Sequence, residues 1–393
     1  MEKQLLIHNL NVIDIEKDTV LPNVSILVSN GVIAQIGQVN EAYPNARVFN
    51  ARGHWAIPSF IDMHAHITFH GRAHHYPGAF HFDENNDMSL IRGAQNLLEA
   101  LQAGVCLVRD VGSKGNKAAL LKSLVDSENI PGPEIILSGE PFCISGGHGF
   151  EFGQSIDSSN MDKLLDAHLE LGYEWLKVMN GPELFDEILL RTLVEKAHRL
   201  GIRVAVHAFT ESGIAGSIRA HSDTIEHAVV FNNQELIEIA RNCQIQFVPT
   251  FYCAWLSLRE DFLRTIPKIE RDYLYNWYEY LDKNFQFHIN HGFPVAVGTD
   301  AGSAPCTFFD CIEEVKMLHH RGLPMATAIK SATLLPAQIL GRENKYGTIA
   351  AGKWANMLLF EKNPLEDVDA LNRIKVIWYR GLDVYNHLES PWN

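Results

Sequence analysis

Two histidines two residues apart, His64 and His66, close the apolar run Ala56-Ile57-Pro58-Ser59-Phe60-Ile61-Asp62-Met63. On an extended chain, side chains at i and i+2 project to the same side, so both imidazoles can reach one ion. An isolated pair of this kind is ordinarily a surface feature; the buried run before it favours a site. Four more strand-like runs carry comparable groups. Trp175-Leu176-Lys177-Val178-Met179 holds a lysine in an apolar stretch, which is costly unless the charge is paired or removed. Val204-Ala205-Val206 ends at His207, Thr224-Ile225-Glu226 at His227, and Val297-Gly298-Thr299 at Asp300. Taken singly, each has a bland reading: a core histidine, or a lysine snorkelling at a sheet edge. That reading would have to hold independently at five strand ends. Four imidazoles, one carboxylate and a lysine that CO2 can carbamylate form the inventory of a site for two divalent ions. Such N and O ligands suit Zn2+ best, with Mn2+, Co2+ or Fe2+ compatible.

These groups need a frame that gathers strand ends. Between residues 58 and 340, eight short apolar runs alternate with helix-like stretches. The runs are Ile57–Asp62, Val105–Asp110, Glu134–Ser138, Trp175–Met179, Arg203–Val206, Thr224–Glu226, Gln246–Pro249 and Val295–Thr299. Leu90–Ala103 and Leu189–Leu200 have apolar residues three and four apart, the second stopping at Gly201. The alternation predicts α/β architecture, a (β/α)8 TIM barrel, whose catalytic groups come from the C-terminal ends of different strands. A doubly wound open sheet is the alternative, lowered by the lack of GxGxxG at a strand–helix turn. Residues 1–57 and 341–393 are β-rich, with a hairpin signal at Asn30-Gly31 and strand-like texture at Tyr346–Ile349. They predict one small β-sandwich domain assembled from both termini.

Composition narrows the partners. The 393-residue chain has 33 basic and 47 acidic residues, a balance of −14 that argues against a nucleic-acid binder. No apolar run reaches about 18 residues, so no membrane span is expected. Six scattered cysteines without a CxxC pair read as reduced thiols in a cytoplasm. The expected partner is a small-molecule substrate; the subunit count stays open, homo-oligomers included.

The order HxH, Lys, His, His, Asp on successive strands resembles the amidohydrolase superfamily of metal-dependent hydrolases. The segment Ala56–His66 is similar to its opening motif; Ser331-Ala332-Thr333, Pro336-Ala337, Leu340-Gly341, Gly347-Thr348-Ile349 and Gly352-Lys353 are similar to its closing one. Within it, the chain resembles the prolidase-like and imidazolonepropionase-related branch. The carriers are Arg109-Asp110-Val111-Gly112, Ser145-Gly146-Gly147-His148-Gly149, Lys177-Val178-Met179, Ile225-Glu226-His227 and Pro249-Thr250. It departs at Asn356, at Asn180-Gly181-Pro182 and at Phe150-Glu151-Phe152, which bears on substrate rather than on metal chemistry.

The resemblance implies hydrolysis of an amide bond by a metal-activated hydroxide, the substrate being a dipeptide of Xaa-Pro type or an N-acyl amino acid. His64, His66 and Asp300 would hold one ion and His207 and His227 the other, with carbamylated Lys177 shared. Asp300 is the expected proton shuttle. His148, in its glycine loop, and Tyr252 are candidate oxyanion donors, and Arg72 a candidate partner for a substrate carboxylate. The alternatives for His148 and Tyr252 are a loop residue and simple packing. Residues His70, Arg72, His74, His75 and His81 form a covering loop or a solvated one. Tyr273–Tyr280 reads as a helix face that helps wall the pocket, and Glu226 as a partner that steadies a neighbouring group. Competing activities are a ring-opening hydrolase, an aminohydrolase and a phosphotriesterase. His207 and Glu211 are one residue too far apart for the usual deaminase spacing. A non-catalytic scaffold would be expected to lose ligands, and all six are present.

Overall fold

The computed structural model describes residues 4–39, 43–71 and 86–388. The chain divides into two compact units: Met1–Ile61, Glu99–Cys106 and Leu318–Asn393 form one, Asp62–Leu98 and Leu107–Met317 the other.

The first unit contains a mixed sheet drawn from both ends of the chain. Its hydrogen-bonded order is Leu382–Asn386, Ile374–Tyr379, Met357–Phe360, Trp55–Pro58, Gln4–Asp14, Thr19–Ser29 and Val32–Gly37, with Arg47–Asn50 also beside Gln4–Asp14. Asn30 and Gly31 turn the hairpin at φ 49° and 82°, pairing Ser29 with Val32, as a type I′ turn requires. The buried face holds Leu10, Ile26, Phe49, Met357 and Trp378, with Phe49 edge-on to Trp378 at 5.2 Å. Tyr346–Ile349 forms a bend rather than the expected strand. Gly347 there lies at φ 86°, off the extended path.

In the second unit the apolar runs become parallel strands buried along their length, which is why they read as continuous apolar sequence. One sheet runs Phe60–Ala65, Val105–Asp110, Glu134–Leu137; another runs Gln154–Ser155, Phe142–Cys143, Trp175–Met179, Arg203–His207, Thr224–Glu226, Gln246–Val248. Two departures from the sequence reading matter. The first run is two strands divided at Ser59, because Pro58 has no N–H to donate and Ser59 N turns to Asn356 O. The last run forms no ladder among the described residues. It makes isolated parallel bridges, Val295 to Phe247 and Ala301 to Ala65. Gly298 is pressed onto its neighbours there: a Cβ would lie 2.7 Å from His64 Cβ.

Helices follow the strands as the periodicity predicts. Glu187–Arg199 starts on Asp186, whose side chain accepts from the N–H groups of Ile188 and Leu189, and carries Lys196, His198 and Arg199 in its last turn. Both ends therefore complement the helix dipole. Gly201 follows at φ 76°. All six cysteines are free thiols, and no described helix is long and apolar enough to cross a membrane.

Candidate metal centre

Strand register brings the chemical groups to one level. Met179 pairs with His207, and His207 with Glu226, so the residues around Lys177, His207 and His227 end their strands together. His227, Thr250 and Asp300 each lie just past an apolar run with φ of 66°, 48° and 58°. A left-handed backbone at a non-glycine residue costs about 1–3 kcal/mol, and such positions cluster at functional sites. At His227 it follows directly on the end of strand Thr224–Glu226.

The histidines converge. Ring centroids of His64 and His227 are 4.5 Å apart, those of His207 and His227 4.5 Å, and those of His64 and His66 5.5 Å. Asp300 Oδ1 lies 3.5 Å from His64 Nε2 and 3.4 Å from His66 Nε2. One donor atom each from His64, His227 and Asp300 falls within 4.8 Å of the other two. This trio draws on both of the ligand sets expected from sequence.

The partners on the far side of each ring decide its tautomer. His66 Nδ1 lies 2.7 Å from the Gly112 carbonyl, which can only accept. His64 Nδ1 faces Glu226 Oε2 at 2.7 Å, again an acceptor. Thr250 Oγ1 donates to Pro249 O at 2.8 Å, so at His227 Nδ1, also 2.8 Å away, it accepts. All three rings carry hydrogen on Nδ1 and turn the Nε2 lone pair to the shared space. This is how a protein orients imidazoles that ligate metal.

A second layer fixes these partners. Arg109 is fully buried, donates from Nη2 to Glu226 Oε1 at 2.8 Å and from Nε to Met63 O at 2.6 Å, and lies over the Trp175 ring at 4.5 Å. Thr224 Oγ1 donates to Glu226 Oε1 as well. Asp62 accepts from His64 N and Thr299 N, both at 3.0 Å, and so joins the strand bearing His64 to the turn bearing Asp300. Burial pushes the Asp62 carboxyl up to about 6.

The donor set fits divalent ions. Lys177 Nζ, His64 Nε2 and His207 Nε2 are buried without a hydrogen-bond partner. Three such orphans in one place are rare unless something binds them. Burial lowers the Lys177 amine to about 8, against the pull of Glu226 and Asp300. Burial also holds His64, His207 and His227 well below the ordinary histidine range, and the Lys177 charge adds to this. Neutral imidazoles are the ligating form.

His148 joins the cluster, its ring 4.7 Å from that of His207. It sits in a crowded recess yet keeps one side open to solvent; the crowding, then the Lys177 charge, lower its pKa. Tyr252 stacks on Trp255 at 5.5 Å, its backbone N–H bound to Glu314; burial, then Asp310 and Glu313, push its phenol up to about 12. Arg72, with His74, His75 and His81, lies outside the described residues. Trp277, on helix Lys268–Asn290, donates Nε1 to His227 O at 2.9 Å. The roles of Asp62 and Thr250 escaped the sequence reading, although both stood inside quoted motifs.

Residues 55–382 match the amidohydrolase family model. The chain belongs to the amidohydrolase family. Family membership makes this amidohydrolase a hydrolase, supports action on carbon–nitrogen bonds and implies a TIM-barrel-like α/β fold; the family generally binds divalent metals. The amidohydrolase is 24% identical to an Aspergillus niger ochratoxinase, over 95% of this chain and 85% of that protein. It is 23% identical to an imidazolonepropionase of Kosmotoga olearia, over 90% and 88%. A crystal structure of a Xaa-Pro dipeptidase with methionine bound in its active site superposes with a TM-score of 0.86 at 25% identity, covering 97% of this chain and 99% of that one.

Proposed function

We propose that the amidohydrolase cleaves the amide bond of a dipeptide or an N-acyl amino acid, with a C-terminal proline or another free carboxylate on the leaving side. The observation that carries this reading is the set of three Nδ1-protonated imidazoles turning Nε2 toward Asp300 and the unpartnered Lys177. Likeness to the Xaa-Pro dipeptidase supports the substrate class. In this reading the domain of residues 58–340 is a closed (β/α)8 barrel, and residues 1–57 with 341–393 form a β-sandwich. Six free thiols favour a reducing cytoplasm.

His64, His66, His207, His227, Asp300 and the carbamate of Lys177 would hold two divalent ions, Zn2+ by donor chemistry. Carbamate forms when the neutral amine adds to CO2 and releases one proton; the lowered Lys177 pKa leaves that amine available near neutral pH. Bound divalent ions lower the pKa of water and polarise a carbonyl. The chain's own work is proton handling and alignment. Asp300 takes the proton of the attacking water and returns it to the nitrogen as the C–N bond breaks. His148 stands beside His207 to donate to the oxygen that becomes negative.

A second reading, opening of a cyclic amide, is favoured by likeness to the imidazolonepropionase. The test is a screen of Zn2+- and Mn2+-loaded protein against dipeptides, N-acyl amino acids and cyclic amides, scored by amine release or ring opening. Turnover of linear amides that vanishes in Asp300→Asn with metal retained supports the proposal. Turnover of cyclic amides alone supports the second reading. Activity surviving in Asp300→Asn contradicts the proton assignment.

A further inference from the structure

Asp300 has two carboxylate oxygens, and the proposed chemistry uses one. Oδ1 faces the histidines. Oδ2 points the other way, where Cys253 Sγ lies 3.6 Å from it. Cys253 is 2% exposed and Asp300 8%, so this contact is shielded from water. We propose that Cys253 is a positioning residue, whose thiol donates to Asp300 Oδ2 and sets the plane of the carboxylate so that Oδ1 faces Nε2 of His64 and His66. The proposal rests on the hydrolytic reading for the role of Asp300.

A carboxylate only accepts, so the thiol is the donor. The choice of donor is informative. A buried carboxylate oxygen left without any donor carries a desolvation cost and is free to rotate. A cationic donor would hold it firmly but would weaken it as a base. A thiol is a weak, neutral donor. It satisfies Oδ2 without placing a charge beside the carboxylate.

The Cys306 thiol and the Ser257 hydroxyl also interact with the Cys253 sulfur. Cys253 itself cannot drift. It belongs to the short helix Phe251–Leu256, whose first two N–H groups, on Phe251 and Tyr252, donate to the two oxygens of the buried Glu314. The same helix begins after Thr250, so one anchored turn serves both His227 and Asp300.

The test uses the full-length protein in two measurements. In the metal-free protein, the S–H stretching band of Cys253 is identified by infrared difference against Cys253→Ala, then followed in Asp300→Ala. The band is expected to move to higher frequency when its acceptor is removed; an unmoved band overturns the proposal. Zn2+ affinity is then measured by competition with a chromophoric chelator. Loss of a partner behind a ligand weakens metal binding by about 10–100-fold. We expect at least about tenfold loss in Cys253→Ala and recovery to within about threefold in Cys253→Ser, which keeps an O–H donor. Equal effects of Ala and Ser, with unchanged circular dichroism, would mean packing and not positioning. A band that shifts in a protein taking up no Zn2+ upholds the contact and overturns the hydrolytic reading alone.

Discussion

His227 Nδ1 lies 2.8 Å from Thr250 Oγ1, and that hydroxyl has already given its proton to Pro249 O. The threonine therefore accepts, and the ring presents an unprotonated Nε2. Thr250→Val is nearly isosteric but cannot accept, so the ring loses its orientation. Zn2+ affinity is expected to fall by about 10–100-fold in Thr250→Val and to persist in Thr250→Ser. Chelator competition on folded protein measures this; equal affinity in Thr250→Val and wild type would contradict the tautomer argument.

Arg109 is the cation that holds Glu226 against His64. Removing it leaves a buried carboxylate with its charge uncompensated, a loss of about 3–5 kcal/mol in comparable cases. Arg109→Met should lower the urea midpoint accordingly. Arg109→Met combined with Glu226→Gln should recover much of that stability without restoring Zn2+ affinity.

The residues that converge were legible in the sequence because each interrupts or ends an apolar run that must be buried. Lys177 in Trp175–Met179 is the clearest case, since its charge has no place in such a strand. Glu226 was legible as a partner of some neighbour, which the structure makes His64, but the rest of what holds these residues was not. Asp62 meets Thr299 across 237 positions and Arg109 meets Glu226 across 117, and no local pattern encodes either contact. The run at Val295–Thr299 read as a strand from its composition. Its backbone instead turns left-handed at Asp300 and packs Gly298 onto His64, which limits its pairing to single bridges. At Ser59 the pattern was continuous while the hydrogen bonds changed partner.

Lys177 should carry carbamate. Protein supplied with 13C-bicarbonate and Zn2+ is expected to show a carbamate carbon resonance that is absent in Lys177→Ala. Small carboxylic acids should restore part of the metal binding of Lys177→Ala by standing in for the missing anion. A wild-type spectrum without that resonance, in metal-loaded protein, would contradict the assignment.

His198 supplies a pH dependence away from the metal. Its Nε2 bonds Asp223 Oδ2 at 2.8 Å, and that bond raises its pKa above the ordinary value. A raised folded-state pKa means the contribution is complete below the unfolded value, about 6.5, and is lost as pH rises through the higher folded value. The stability difference between wild type and His198→Asn should be largest near about pH 5.5 and shrink toward about pH 9. The pair is partly open to solvent, so the difference is small, and urea midpoints across pH will show its sign.

The convergence of four imidazoles, Asp300 and Lys177 on divalent ions is tested most directly by metal stoichiometry. Protein loaded with Zn2+ in the presence of bicarbonate, then dialysed, is assayed by plasma mass spectrometry. The prediction is near two ions per chain in the wild type, falling in Lys177→Ala. A folded wild-type protein that retains no ion would contradict it.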